Sequence, residues 1–171
     1  MNLKILPALA LAATLAACVT PKPVTISQQF NAGDVAWSKA KGTNSLSGEA
    51  FLRQQGGGVV TCAGAVVVLV PVAPYSTERM MARYGSATSG YVDPILGPTL
   101  PAPDAGYAES FRNTRCDAQG KFTFSDLPDG NYYLATQVVW YVGNAEQGGY
   151  LMQRVSFQGG EHKQVLLTNG G

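Results

Sequence analysis

The amino-acid sequence predicts an all-β protein: a sandwich of about seven strands with one or two short helices and a long irregular insertion. Two observations carry this expectation. Twenty glycines and ten prolines stand among 171 residues of which only 13% are charged, a composition that suits short strands joined by turns better than long surface helices. From Ser45 onward, apolar or alternating runs recur between turn signals rich in Gly, Pro and Asp, the rhythm of a sandwich rather than of a parallel sheet with crossover helices.

Residues 1–17 stand apart from that rhythm. Lys4, an apolar run from Ile5 to Leu15 and small residues before a cleavage point make a secretory signal, too short for a permanent membrane span. Leu15-Ala16-Ala17-Cys18 resembles the bacterial lipobox, which implies a mature chain that begins at a lipidated Cys18; the alternative is an ordinary signal cut after Ala17 that leaves a thiol. Each buried methylene contributes roughly 0.8 kcal/mol, so two or more acyl chains anchor a protein to a membrane without a transmembrane helix. Val19 follows the cysteine, where enterobacterial inner-membrane lipoproteins commonly carry Asp, and this points to the periplasmic face of the outer membrane.

Residues 18–31 carry Pro21, Pro23 and Ser27 without periodicity and read as a flexible tether, leaving 32–171 as one domain. Asn31 or Asp34 caps a short helix through Val35–Ala40, stopped near Gly42, with Trp37 docked on the domain edge. Ser45–Arg53 alternates, placing Leu46, Gly48, Ala50 and Leu52 on one face of a first strand. Gly56-Gly57-Gly58 breaks it. Ala65–Val70, β-branched and ended by Pro71, reads as a buried central strand.

The segment from about 75 to 113 breaks the strand rhythm. Ser76 or Thr77 caps a short helix through Glu78–Tyr84, closed by Gly85, and scattered Pro, Gly and Tyr follow. Long irregular insertions in compact domains are commonly functional or disordered. Tyr75, Tyr84, Tyr91 and Tyr107 fall in or beside this one. They are the candidate binding surface for an envelope protein or a glycan, or else they pin the insertion to the sandwich.

Regularity returns with Ser110–Cys116, the turn Asp117-Ala118-Gln119-Gly120 and the strand Lys121–Phe124. Leu127-Pro128-Asp129-Gly130 turns into the longest strand, Asn131–Tyr141, whose core face is Tyr132, Leu134, Thr136, Val138 and Trp140. Gly148-Gly149 reads as a turn into Tyr150–Phe157, and Gly159-Gly160 as a turn into His162–Leu167 that completes a terminal hairpin.

Charge and chemistry narrow the function. Twelve Lys and Arg face eleven Asp and Glu, and Lys4 is the only charge in the signal. The mature chain is therefore neutral, with no basic stripe to bind nucleic acid. With Cys18 given to lipid, Cys62 and Cys116 in an oxidising compartment read as a disulfide, free thiols or a metal pair being the alternatives. Closing their loop contributes on the order of 4 kcal/mol in the chain-entropy model.

No catalytic residue stands out. His162, the only imidazole, has the surroundings of an exposed strand start. Asp117, Asp126 and Asp129 lack the order of a calcium loop, and Gly56-Gly57-Gly58 lacks the Lys of a phosphate loop. Met80 and Met81 read as packing, so neither metal nor cofactor is expected.

Gly48, Cys62–Pro71, Cys116–Phe124 and Leu127–Tyr133 together resemble the carboxypeptidase regulatory-like domain. The match spans about Gly48 to Thr168, and it implies a transthyretin-like Greek-key sandwich acting as a non-catalytic accessory module. Tyr75-Ser76-Thr77-Glu78-Arg79 resembles short bacterial envelope lipoproteins. The 75–113 insertion is longer than the regulatory family's usual connection. The expected function is a lipid-anchored binding or structural protein, with a subunit of an envelope or secretion assembly as the alternative. The hydrolase alternative, a relative of transthyretin-like hydroxyisourate hydrolase, fails on the single His and on the C-terminal Leu167-Thr168-Asn169-Gly170-Gly171, which is not Tyr-Arg-Gly-Ser.

Overall fold

The computed structural model describes residues 24–169. The signal segment 1–17 and the lipidation site Cys18 lie outside the described residues. Nine strands form two sheets that face each other, an all-β sandwich. The first sheet contains β1 (Asn44–Arg53), β2 (Val59–Thr61), β6 (Lys121–Leu127) and β9 (His162–Leu167). The second runs in the order β4 (Ser89–Val92), β8 (Ala145–Phe157), β7 (Gly130–Val142), β3 (Val66–Pro71) and β5 (Arg112–Arg115).

The period-2 alternation of each strand sends one row of side chains between the sheets. In β1 that row is Asn44, Leu46, Gly48, Ala50 and Leu52. From β7 come Tyr132, Leu134 and Val138, with Trp140 packed at the edge. These meet Leu69, Phe122, Phe124, Leu127, Leu151 and Phe157 in one continuous core. Trp37, on the 3₁₀ turn that follows α1 (Ala32–Val35), docks edge-on against Tyr132 with ring centroids 5.1 Å apart.

A second apolar cluster lies on the outer face of the second sheet, beneath α2 (Pro74–Tyr84). Tyr75 and Met80 of the helix meet Val70, Tyr133 and Met152 of the strands, with Tyr107 closing one side. The Tyr133 hydroxyl donates to Thr77 Oγ1 at 3.0 Å, fastening the helix to β7.

Several sequence expectations change. The helix starts at Pro74, which suits its first position, with Ala73 as cap; Ser76 acts from the third position, accepting the Ala73 N–H at 2.8 Å. The insertion is ordered in part, for it contains α2, β4 and a short 3₁₀ turn, Ala108–Ser110. Gly148-Gly149 is not a turn but lies within β8, and the turn is Gly143-Asn144, with Gly143 at φ 60°. A Cβ on Gly148 would run into the Val138 carbonyl oxygen and stand 2.8 Å from the Trp140 ring, and one on Gly149 would run into the Val92 carbonyl oxygen and stand 2.7 Å from the Tyr91 ring, so these glycines leave room for neighbouring backbone as well as for the aromatic rings. Finally, β9 does not form a hairpin with β8. It crosses to the other sheet and pairs in parallel with β1, Ser45 opposite His162 and Ala50 opposite Leu167.

The tether expectation is corrected where it is described. Glu78 on α2 accepts the Ser27 and Gln28 N–H groups at 2.9 and 2.7 Å, and Phe30 packs against Tyr75 and Tyr107. Residues 24–31 thus lie against the domain. Cys62 and Cys116 form the expected disulfide, Cα atoms 5.8 Å apart, joining the end of β2 in one sheet to the end of β5 in the other. No helix among the described residues is long and apolar enough to cross a membrane.

Candidate functional site

α2 covers only part of the outer face of the second sheet, and the uncovered part is a groove of about 490 Å³, within the range of small-ligand sites. Its floor is β-sheet: Val66 and Val68 of β3, Ala135 and Gln137 of β7, and Tyr150 of β8. Arg79, Met80, Arg83 and Tyr84 of α2 form one wall; Leu100, Tyr107 and Phe111 contribute from the segment between β4 and β5, and Arg115 from β5. Residues four apart share a helix face, so Arg79 and Arg83 reach the groove together; Tyr75 and Ser76 are buried against the sheet, and Met80 is buried while still edging the groove.

Three of the six arginines meet here. Arg79 donates to Tyr75 Oη at 3.3 Å and to the Pro101 carbonyl at 3.1 Å, and its guanidinium lies 5.6 and 5.7 Å from the Tyr75 and Tyr107 ring centroids. Arg83 stacks on Tyr150 at 4.2 Å, a cation–π contact. Arg115 donates to the Gly64 carbonyl at 2.9 Å. No lining residue is acidic. Burial pushes the Tyr84 hydroxyl up to about 12 against the opposing pull of Arg83, and burial also raises Tyr107. Both phenols are therefore neutral hydrogen-bonding groups at physiological pH.

Of the four tyrosines singled out from sequence, two line this groove. Tyr84 is half-buried in its wall and Tyr107 presents an edge while being 6% exposed. Tyr75, 4% exposed, packs edge-to-face on Phe30 and Tyr107 and accepts the Asp104 N–H at 2.9 Å. Tyr91 lies away from the groove, its hydroxyl donating to the Gly148 carbonyl at 2.6 Å. Tyr75 and Tyr91 therefore pin the insertion to the sandwich. Arg79, Arg83, Arg115, Gln137 and Tyr150 were not among the residues singled out. The four-residue spacing of Arg79 and Arg83 within the expected helix was a readable signal; Arg115, Gln137 and Tyr150 converge only through the order of β5, β3, β7 and β8.

The remaining polar candidates are dispersed. Ser45 Oγ lies 2.6 Å from His162 Nδ1 at the exposed start of β9, apart from the groove. Asp117 Oδ1 accepts two N–H groups of its own turn, Asp126 pairs with Lys41 at 3.6 Å, and Asp129 accepts from Asn44 and Gly159. Among the described residues no three His, Cys, Asp or Glu side chains gather as metal ligands.

No protein-family profile matches the chain, and no curated protein matches it in sequence. Among solved structures it is similar to a candidate carbohydrate binding protein from Pseudomonas aeruginosa, with a TM-score of 0.67 and 24% identity, covering 82% of this chain and 98% of that one. At that identity the likeness establishes a shared β-sandwich fold.

Proposed function

We propose that this is a non-catalytic, lipid-anchored module of the bacterial envelope that binds carbohydrate in the groove between α2 and the second sheet. One fold hosts many functions, so the groove carries the reading. Its combination of tyrosine rings, guanidinium donors and the Gln137 amide over an apolar floor suits a sugar, which offers C–H faces for stacking and hydroxyls for hydrogen bonding. The likeness to a candidate carbohydrate binding protein supports the same ligand class.

The Cys62–Cys116 disulfide fits an extracytoplasmic location. Acylation of Cys18 would place the domain at the membrane surface, on the periplasmic side of the outer membrane. The carboxypeptidase regulatory-like resemblance, an accessory sandwich without catalytic residues of its own, agrees with this role.

Retention of the purified protein on a panel of immobilised envelope polysaccharides tests the function. At least one polysaccharide should retain the wild type, with Tyr150→Ala at least about tenfold weaker at an unchanged melting temperature. Equal retention of Tyr150→Ala would remove the groove as the site, and a panel that retains nothing would overturn the reading.

A further inference from the structure

The groove concentrates positive charge on a chain whose formal net charge is only +1. Arg79, Arg83 and Arg115 line it without a carboxylate, and two acids on neighbouring elements, Glu78 and Asp104, are engaged elsewhere. Glu78, adjacent to Arg79 on α2, accepts from Ser27 and Gln28, and Asp104 accepts the Phe30 N–H at 2.8 Å. None of the three arginines is in a salt bridge with a described Asp or Glu. Each guanidinium has five N–H donors; Arg79 uses one on Tyr75 and one on Pro101, and Arg115 uses one on Gly64. These bonds and the stacking of Arg83 on Tyr150 hold the groups in place with donors left over. A cleft walled by one sign of charge focuses its field on a ligand of the other, and guanidinium geometry matches carboxylate, sulfate and phosphate.

We infer that the groove takes an anionic glycan, one whose sugars carry carboxylate, sulfate or phosphate groups. This rests on the carbohydrate reading and narrows its ligand class. The acid group meets the arginines, and the sugar ring lies toward Tyr84 and Tyr150.

Purified full-length protein is tested by titration against a uronate oligosaccharide and its methyl ester, which differ only in charge, and against sulfated and phosphorylated oligosaccharides with their neutral parents. At least one acidic member should bind at least about tenfold more tightly than its neutral counterpart, with affinity falling as salt rises. The pattern among uronate, sulfate and phosphate identifies the source of the charge. Arg115, exposed at the end of β5, offers a variant that spares the core: Arg115→Gln should lose about tenfold for the acidic ligand only, and Arg115→Lys should recover part of it. Arg83→Gln gives a second reading from the opposite wall. Equal affinity for acidic and neutral members would overturn the anionic inference and leave carbohydrate binding intact. No binding to any member would overturn both. Acid-selective binding unchanged in Arg83→Gln and Arg115→Gln would move the site away from these arginines.

Discussion

Asn44 is one of the few polar side chains buried between the sheets, 1% exposed, and it is fully bonded. Its Nδ2 donates to the Leu127 carbonyl and to Asp129 Oδ1, both at 2.9 Å, and its Oδ1 accepts the Glu161 N–H at 2.7 Å. One amide thus ties the start of β1 to the end of β6 and to the chain entering β9. Removing it strands a buried carbonyl and an amide hydrogen, which costs roughly 1–3 kcal/mol. Asn44→Ala should therefore lower the unfolding free energy by about 2 kcal/mol in urea titration; a loss under about 0.5 kcal/mol would mean that water replaces these bonds. The sequence shows the alternation that buries Leu46, Ala50 and Leu52, but Asn44 closes contacts 83 and 117 residues away, where no local pattern reports it. The insertion's tyrosines pose the same difficulty. A tyrosine that packs and a tyrosine that offers its ring have the same local sequence, and only the path of the chain separates Tyr75 from Tyr84.

At the scale of elements, α2 decides how the outer face of the second sheet is used. Its end was legible, because Gly85 adopts φ 69° and donates to the Met81 carbonyl. Its start was not, because Pro74 opens the helix and Ser76 caps from inside it. The run Tyr75-Ser76-Thr77-Glu78-Arg79 serves five separate contacts: Tyr75 with the aromatic cluster, Ser76 with Ala73 and Pro71, Thr77 with Tyr133, Glu78 with Ser27 and Gln28, and Arg79 with Pro101. Glu78 makes one of these contacts sensitive to pH. The Ser27 N–H first, then the Gln28 N–H and the Ser27 hydroxyl, hold its carboxyl below the ordinary 4.5. A depressed folded pKa stabilises the docked segment above the ordinary value, and that contribution is lost as pH falls through the folded one. Residues 24–31 should accordingly stay docked at pH 5 and loosen in stronger acid. In an NMR titration the Ser27 and Gln28 amides should shift together with a midpoint below 4.5, and Glu78→Gln should remove that step. A midpoint at or above 4.5 would show that the carboxylate does not hold the segment.

For the molecule as a whole, strands were more legible than their division between sheets. Turn residues and alternation located β1, β3, β6 and β7 within a few residues, since those signals are local. Sheet membership is not local: β8 and β9 follow each other in sequence yet belong to opposite sheets, because β9 extends β1 in parallel. The groove inherits this limit, since its floor needs three strands of the second sheet side by side. The Cys62–Cys116 disulfide acts at the same scale. It spans 54 positions and joins the two sheets, and the segment it encloses contains α2, β4 and most of the groove's walls. Opening it frees that whole segment in the unfolded chain, a loss on the order of 4 kcal/mol in the chain-entropy model. For a domain of this size that corresponds to a fall in melting temperature of roughly 10 °C. Both sulfurs sit in the core, so Cys62→Ala with Cys116→Ala tests the constraint without burying a new polar group. Calorimetry should show the double variant melting roughly 10 °C below the oxidised protein, with reductant moving the wild type the same way and leaving the variant unmoved. A wild type that melts within about 2 °C of the variant would mean that the loop is already constrained in the unfolded chain, and that the two sheets hold together by their shared apolar core alone.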